Sequence, residues 1–354
     1  MVRLSKIIVG MSGGVDSAVA AYLLGLAGHK VYGVTLRTST DKNRCCEIDD
    51  ARRVCDQLGI PFYAVNCAAQ FRESVIDPFI NDYISGKTPN PCIGCNREIK
   101  WSLLMESMSL VGADYIATGH YAEVVRLQSG RYTVKKAAHA SKDQTYMLCT
   151  LSQEQLAHTI MPLGRLSKAE VRELAKKAGL SVAEKKDSQE ICFVPDGDYA
   201  GFVDFNSERP VPPPGDFVDE HGNVLGRHKG IINYTVGQRK GLGVALGKPA
   251  YVKSIDPDKN EVVLCEDEAL YGSEILCSDL YFMGMEDPGA GAVVNADVKI
   301  RYRHSGEAAR VEFIGDGTAR IVFDKPVRAA TPGQAAVMYD SDGCVLAGAT
   351  IIRS

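Results

Sequence analysis

Eight residues, Gly10-Met11-Ser12-Gly13-Gly14-Val15-Asp16-Ser17, limit most what this chain can fold into. They follow the apolar run Ile7-Ile8-Val9 and lead into a helical pattern over residues 18–26. A strand, a glycine turn and a helix start together make an anion site. Backbone N–H groups point inward at the turn, and the helix N-terminus adds unpaired donors and partial positive charge. Gly13 and Gly14 leave room for backbone and ligand to approach closely. The stretch lacks the lysine of a G-x-x-x-x-G-K-S/T loop, which excludes that kind of phosphate cradle. A capped helix after a flexible turn would need only Asp16 or Ser17 as its cap, and would have no use for two glycines between two serines.

A chain of 354 residues is expected to hold two or three domains. Short apolar runs alternate with helical patterns up to about residue 120, with strands expected at 30–36, 62–65 and 115–118 and helices at 47–58 and 97–110. This order predicts an α/β class with a Rossmann-like parallel sheet and helices on both faces. Ligands in such sheets sit at the carboxyl ends of the strands, which brings Thr118-Gly119-His120 beside the Gly10 loop. Ser167 and Glu170 form a capping box that opens a helix over 167–178. The stretch 207–215, with Pro210, Pro212, Pro213 and Pro214, supports neither helix nor central strand and marks a boundary. Beyond it the apolar period becomes two. Hairpins are expected at 251–265 and 310–323, and a β-barrel from about 275 to the end. The expected division is a nucleotide-binding and catalytic domain over 1–206, a small β-rich linker domain over 207–274 and a C-terminal β-barrel over 275–354.

Arg3 and Lys6 run straight into a strand, and no apolar run is long enough to span a membrane, so a cytoplasmic protein with no membrane partner is expected. The net charge of −4 excludes nucleic-acid binding through bulk charge and leaves it to local basic patches such as 97–100, 165–177 and 301–304. Eleven cysteines without a secretory signal do not read as a disulfide framework. Cys55, Cys67, Cys149, Cys265, Cys277 and Cys344 sit singly in apolar surroundings and are expected to be buried small hydrophobes. Cys45-Cys46, in a stretch expected to be a polar loop, has no assigned role.

Cys92 and Cys95 form a C-x-x-C expected in a loop just before a helix, where the helix start favours thiolate. A redox dithiol, a metal or cluster ligand set, and a nucleophile with a neighbour all remain open for the pair. No second C-x-x-C completes a zinc site. Cys192 follows the basic Lys185-Lys186, which would stabilise a thiolate, while Ile191 and Phe193 suit a core cysteine equally well.

The motif S-G-G-V-D-S resembles the loop of the PP-loop ATP pyrophosphatases, with their adenine nucleotide hydrolase-type sheet. Six further motifs follow it in order: T-P-N-P-C-I-G-C-N, A-T-G-H-Y, K-D-Q-T-Y, K-K-D-S-Q-E-I-C-F, Y-T-V-G-Q-R-K-G-L-G and T-P-G-Q. Together they make the whole chain similar to the bacterial tRNA-specific 2-thiouridylase family. The resemblance implies that ATP adenylates O2 of the wobble uridine of tRNA, that pyrophosphate leaves, and that sulfur then displaces AMP. It implies Cys95 as nucleophile and Cys192 as persulfide carrier. ATP would be bound by Gly10, Met11, Ser12, Gly13, Gly14, Val15, Asp16, Ser17, Leu36 and Gly119, with Asp16 holding Mg2+ and the Ser12 and Ser17 hydroxyls facing phosphate. Asn90, Pro91 and Cys92 would lie against the target base. His120, Lys142, Asp143, Gln144, Arg301, Tyr302 and Gln334 would contact tRNA. The sulfur donor would be a persulfide carrier or sulfide.

Many members of that family carry Asp at the position of Cys92. A cysteine there supplies, with Cys95 and Cys192, three thiolates that could hold a 4Fe-4S cluster with one iron open, and this cluster is expected. The segment 185–193 is expected to refold when tRNA binds, because of its charge and because Cys192 has to approach Cys95. The competing reading is a PP-loop ligase or amidotransferase that adenylates a small substrate, which needs the loop but neither the paired thiols nor a barrel. A metal-binding RNA protein with a vestigial nucleotide loop is a third reading, and the intact loop speaks against it.

Overall fold

Successive side chains of the first strand enter opposite cores, Ile7 and Val9 on one side and Ile8 on the other. A strand buried on both faces has to lie inside a covered sheet. The computed structural model describes residues 4–39, 45–187, 190–244 and 247–353. Its first strands are Lys6–Gly10 (β1), Lys30–Arg37 (β2), Phe62–Asn66 (β3) and Tyr115–Ala117 (β4). A hairpin of Ala122–Arg126 (β5) and Tyr132–Lys136 (β6) leads to Thr159–Ile160 (β7). The main sheet runs β3-β2-β1-β4-β7 with every pair parallel, as the alternating pattern predicts. The chain reverses its direction of travel across the sheet between β1 and β4, which opens a crevice at their carboxyl ends.

Helices Val15–Leu26, Cys45–Leu58 and Lys168–Lys177 cover the face of Ile7 and Val9. Ser167 caps the last of these through the expected reciprocal bonds with Glu170. Cys45 and Cys46 open a helix and do not lie in a loop, and their side chains fall outside the described residues. The other face is covered by Trp101 and Leu104. Here the helix starts earlier than the expected 97–110. It runs as Pro91–Gly94, a wide turn Cys95–Trp101 and Ser102–Val111, closed by a left-handed Gly112. The early start follows from Asn90, whose side chain accepts the Cys92 N–H, and from proline at the first helical position. The C-x-x-C therefore spans the first helical turn and is not in a preceding loop.

The middle body is a four-stranded sheet of Asp216–Val218 (β8), Val224–Arg227 (β9), Tyr251–Asp256 (β10) and Glu261–Cys265 (β11), ordered β10-β11-β8-β9. The remaining strands are Tyr271–Phe282 (β12), Val293–Lys299 (β13), Glu307–Gly315 (β14), Thr318–Arg328 (β15), Ala335–Tyr339 (β16) and Val345–Arg353 (β17). They close an antiparallel barrel ordered β12-β15-β14-β13-β16-β17. Both expected hairpins are present, as β10–β11 and β14–β15. Ala335, Val337, Tyr339 and Val345 of the barrel share the core that holds Ile8 and Trp101, so the barrel is built onto the second face of the nucleotide sheet.

Cys55, Cys67, Cys149, Cys265, Cys277 and Cys344 are all buried, as their apolar flanks predict. Burial pushes the thiols of Cys55 and Cys265 up to about 11 and those of Cys149 and Cys277 up to about 12. A thiol whose folded pKa lies above its ordinary value favours the fold fully below that ordinary value, and the contribution fades as pH climbs through the folded pKa. The melting temperature should therefore hold up to about pH 9 and fall steeply between about pH 9 and 12. A flat profile across that interval would show that folding does not raise the pKa values of these thiols.

Candidate active site

The nucleotide loop is shaped by its own short-range bonds. Gly13 adopts φ +68°, which turns the chain back over the helix start. The Ser12 N–H donates to Ser17 Oγ at 3.2 Å, and Ser17 Oγ donates to the Gly14 carbonyl at 3.2 Å. The two serine hydroxyls stand 3.2 Å apart, so in this state they face each other, with Ser12 exposed and Ser17 buried. Met11 and Val15 turn their side chains into the core and leave only backbone for a ligand, while Leu36 is half-buried. Gly119, at the end of β4, packs directly on this helix start. A Cβ there would lie 2.6 Å from Ser17 N and 2.7 Å from the carbonyl carbon of Asp16.

Asp16 is held by residues from two distant parts of the chain. The Tyr121 hydroxyl donates to its Oδ1 at 2.7 Å, and Lys168 Nζ lies 2.8 and 2.9 Å from its two oxygens. The same ammonium is 2.8 Å from Asp187 Oδ1, and Asp187 also takes Lys142 Nζ at 2.9 Å and Arg172 at 3.0 Å. Burial would raise the Asp187 carboxyl, but Lys168 and Lys142 outweigh it and hold the group below the usual carboxylate range. Lys185 Nζ donates to the Gly13 carbonyl at 3.0 Å and to Asp50 at 2.8 Å. The stretch leading to Cys192 is thus tied to the nucleotide loop at Lys185 and, through Lys168, at Asp187. Ser188 and Gln189 lie outside the described residues, and with them part of the expected refolding segment.

Lys100 acts electrostatically on all three thiols of the site. Cys95 is buried, Cys92 half-buried and Cys192 exposed. Burial pushes the Cys95 thiol up to about 11, with the Lys100 ammonium opposing it. The sequence predicts the reverse from the helix start alone, and depth of burial overrides that local dipole. Burial would lower Lys100, and the nearby Cys95, Cys92 and Cys192 more than offset it, so the ammonium stays firmly charged. Its Nζ donates to Asn96 Oδ1 at 2.9 Å, and the Asn96 amide donates to the Met147 carbonyl at 2.8 Å. Asn90 donates to Met147 Sδ at 3.2 Å. Among the described residues no three His, Cys, Asp or Glu side chains stand close enough to hold one metal ion.

Residues 119–121 join the two halves of the site. Gly119 touches the loop and Tyr121 bonds Asp16, while the His120 ring lies 5.4 Å from Trp101 with Nδ1 2.9 Å from Thr118 Oγ1. Burial and the Lys100 charge push His120 down to about 3, so the ring is neutral and offers a polar edge with no cation. Asp143 is buried and accepts from Ala137 N and Thr145 N and Oγ1, and Gln144 Oε1 accepts the Tyr121 N–H. Both make these bonds within the chain itself. Gln334 also bonds within the chain, donating to the Thr88 carbonyl at 2.7 Å. Arg301 gives one N–H to the Arg328 carbonyl, and the Tyr302 ring lies 6.3 Å from Tyr146.

Sequence reasoning placed Lys100, Lys168 and Arg172 only in basic patches and Tyr121 only within a motif, and gave none of them a role at this site. Lys168 carried a readable signal: a cation in the first turn of a helix opposes the helix dipole and calls for an anionic partner.

Comparison with known proteins places these features in context. A family model described as the tRNA methyl transferase HUP domain matches residues 5–196. A PRC-barrel domain of the same description matches 204–266, and an aminomethyltransferase beta-barrel domain matches 273–351. The chain is 50% identical to the tRNA-specific 2-thiouridylase MnmA of Lachnoclostridium phytofermentans over 362 residues, spanning 99% of this chain and 100% of that one. It is 47% identical to the tRNA-specific 2-thiouridylase MnmA of Clostridioides difficile, spanning 99% and 98%. Among solved structures, the U34-tRNA thiolase NcsA of Methanococcus maripaludis, determined with its 4Fe-4S cluster, aligns at TM-score 0.36 and 21% identity over 57% of this chain and 64% of that one.

Two measurements follow from the geometry. Gly119→Ala should weaken binding of a non-hydrolysable ATP analogue by at least about tenfold, or ~1.4 kcal/mol, in calorimetry; unchanged affinity would separate Gly119 from the nucleotide site. Iodoacetamide should label Cys192 first, with Cys95 labelling rising about tenfold per pH unit towards about 11. Rapid labelling of Cys95 at pH 7 would contradict its burial.

Proposed function

The chain belongs to the tRNA-specific 2-thiouridylase family, and we infer that its own residues divide the ATP-dependent 2-thiolation of the tRNA wobble uridine between two adjoining sites. A uracil O2 is a poor leaving group until adenylation turns it into AMP. The observation that carries the assignment is the single span from Gly119 to Tyr121, which meets the nucleotide loop through Gly119 and Tyr121 and the thiol-bearing helix, at Trp101, through His120. The descriptions of the family models speak of methyl transfer and the full-length relatives of thiolation. A nucleotide loop beside three thiols is machinery for the second. The division at 206/207 and 274/275 is supported by the separation of the parallel sheet, the four-stranded sheet and the barrel.

In this reading ATP lies on Gly10 to Ser17, Leu36 and Gly119, with its phosphates at the turn and the helix start. Mg2+ fits the acidic Asp16 once Lys168 moves from that carboxylate, and it would neutralise phosphate charge there. Asn90, Pro91 and Cys92 bear on the uracil, and Lys142, Arg301 and Tyr302 bear on the RNA beside it, with the cations setting affinity and salt dependence. Cys192, the exposed thiol, receives a sulfur atom as a persulfide from a donor. The terminal sulfur attacks C2 of the adenylated uracil, forming the C–S bond as the C–O bond to AMP breaks. Cys95 attacks the Cys192 sulfur, which frees 2-thiouridine and leaves a Cys95–Cys192 disulfide for an external thiol to reduce. The Lys100 ammonium favours the Cys95 thiolate for that step.

A 4Fe-4S cluster suits the chemistry of Cys92, Cys95 and Cys192 but not their present placement, since no metal-binding group of three forms among the described residues. No step is therefore assigned to a cluster. Among the described residues no helix is long and apolar enough to cross a membrane, and a tRNA substrate supports a cytoplasmic setting.

Thiolation of a wobble-uridine transcript with ATP, Mg2+ and a persulfide donor should proceed with metal-stripped protein, release pyrophosphate only when tRNA is present, and be abolished by Cys95→Ser and by Cys192→Ser. Activity restored only by iron would replace the persulfide route with a cluster.

A further inference from the structure

One carboxylate on the stretch leading to Cys192 serves three cations. Asp187 Oδ2 takes Lys142 Nζ at 2.9 Å, while its Oδ1 takes Lys168 Nζ at 2.8 Å and Arg172 at 3.0 Å. The three cations are held in different ways. Arg172 is anchored, because it also donates to the Ala183 carbonyl at 3.0 Å and to the Lys185 carbonyl at 3.1 Å. Lys168 is shared, since the same ammonium lies 2.8 and 2.9 Å from the two oxygens of Asp16. Lys142 ends the short turn Ala140–Lys142, and among the described residues Asp187 is the one acid its ammonium pairs with.

The strength with which Asp187 holds Lys168 depends on how far the other two cations neutralise it. The Lys168 side chain is only 15% exposed, so water and salt screen this competition weakly. Withdrawing Lys142 leaves Asp187 with more uncompensated charge. Its pull on Lys168 then rises, against the pull of Asp16 on the other side. Arg172 keeps the Asp187 carboxylate in place meanwhile. Asp16 retains the Tyr121 hydroxyl, bonded at 2.7 Å, and gains a free oxygen edge beside the nucleotide turn.

We propose that Asp187 is a positioning residue that couples the two substrates: when RNA phosphate takes Lys142, Asp187 draws Lys168 off Asp16 and opens that carboxylate for magnesium-bound ATP. This rests on the reading of Lys142 as an RNA contact and of Asp16 as part of the nucleotide site. The reverse holds by linkage, since Lys168 moved onto Asp187 by ATP releases Lys142 for RNA. The nucleotide site is then completed only on protein that already carries its acceptor.

The test is calorimetry on the full chain with Mg2+ and an ATP analogue whose α–β bridge cannot be cleaved, with and without a wobble-uridine transcript. In wild-type protein the transcript should tighten the analogue by about fivefold or more, and the analogue should tighten the transcript by the same factor. In Asp187→Asn the two affinities should become independent. Lys142→Gln supplies a second arm that does not rely on that variant folding. Without RNA it should bind the analogue more tightly than wild type by a comparable factor, although losing a cation near a polyanion would by itself weaken binding. Neither a folding defect nor a plain RNA contact gives that sign. Undiminished coupling in Asp187→Asn, no coupling in wild type, or unchanged or weaker analogue binding by Lys142→Gln would each overturn the proposal. Failure of the underlying reading is distinct: wild-type protein would then bind no analogue or no transcript, and the proposal would fall with it.

Discussion

Lys168 stands between two carboxylates that approach it from different directions, Asp16 on the nucleotide loop and Asp187 on the stretch leading to Cys192. Each pair is at 2.8 Å, and the lysine side chain is only 15% exposed. A charge-assisted hydrogen bond in such a setting contributes about 2–3 kcal/mol, and without the ammonium the two acids would face each other across a gap with little water. Lys168 therefore links the loop, its own helix and the sulfur-bearing stretch, alongside the Lys185 bonds to Gly13 and Asp50. Mg2+ and phosphates would compete for the same groups. The arrangement is one of balanced charges, which nucleotide charge is able to redistribute.

The second half of the site depends on packing more than on charge. Ile8, Trp101, Tyr146 and Tyr339 lie in one core drawn from the sheet, the thiol-bearing helix and the barrel. That common core lets strands 200 residues or more downstream bear on the thiol-bearing helix. Lys100 adds a positive charge that acts on Cys95, Cys92 and Cys192. Burial disfavours the Cys95 thiolate and Lys100 favours it, so Cys95 is quiet until substrate or movement changes its surroundings.

What was legible in the sequence was whatever is written locally. Apolar runs and glycine turns gave the parallel sheet, the Ser167 box gave its helix, and the period-two stretches gave the hairpins and barrel. Asn90-Pro91 also carried a local signal for an early helix start, which the pattern over 97–110 masked. Contacts that span the chain were not legible. Lys168 meets Asp16 from 152 residues away, and Gln334 meets Thr88 from 246. Nothing in their neighbours announces the partner. The Cys95 thiol shows the same limit, because a helix start can be read from sequence while depth of burial belongs to the assembled fold. Asp143 and Gln144 were recognisable as special, but the direction they face is set by Tyr121 and Thr145 once the chain has closed.

The buried cysteines bear on how sulfur is addressed. A persulfide donor reacts with any thiol it can reach, and a protein with many thiols offers it many wrong destinations. Among the described cysteines, six sit in the core with their thiols pushed up towards the protonated form, Cys95 is buried within its helix, Cys92 is half-buried and Cys192 is exposed. Delivery is then sorted by access alone, without a recognition element at each site. Such sorting lasts only as long as the core stays shut. Local opening around Cys55 or Cys149 would create a competing acceptor well before the chain unfolds, so mild heating in the presence of a sulfur donor would scatter sulfur across the protein before its structure is lost.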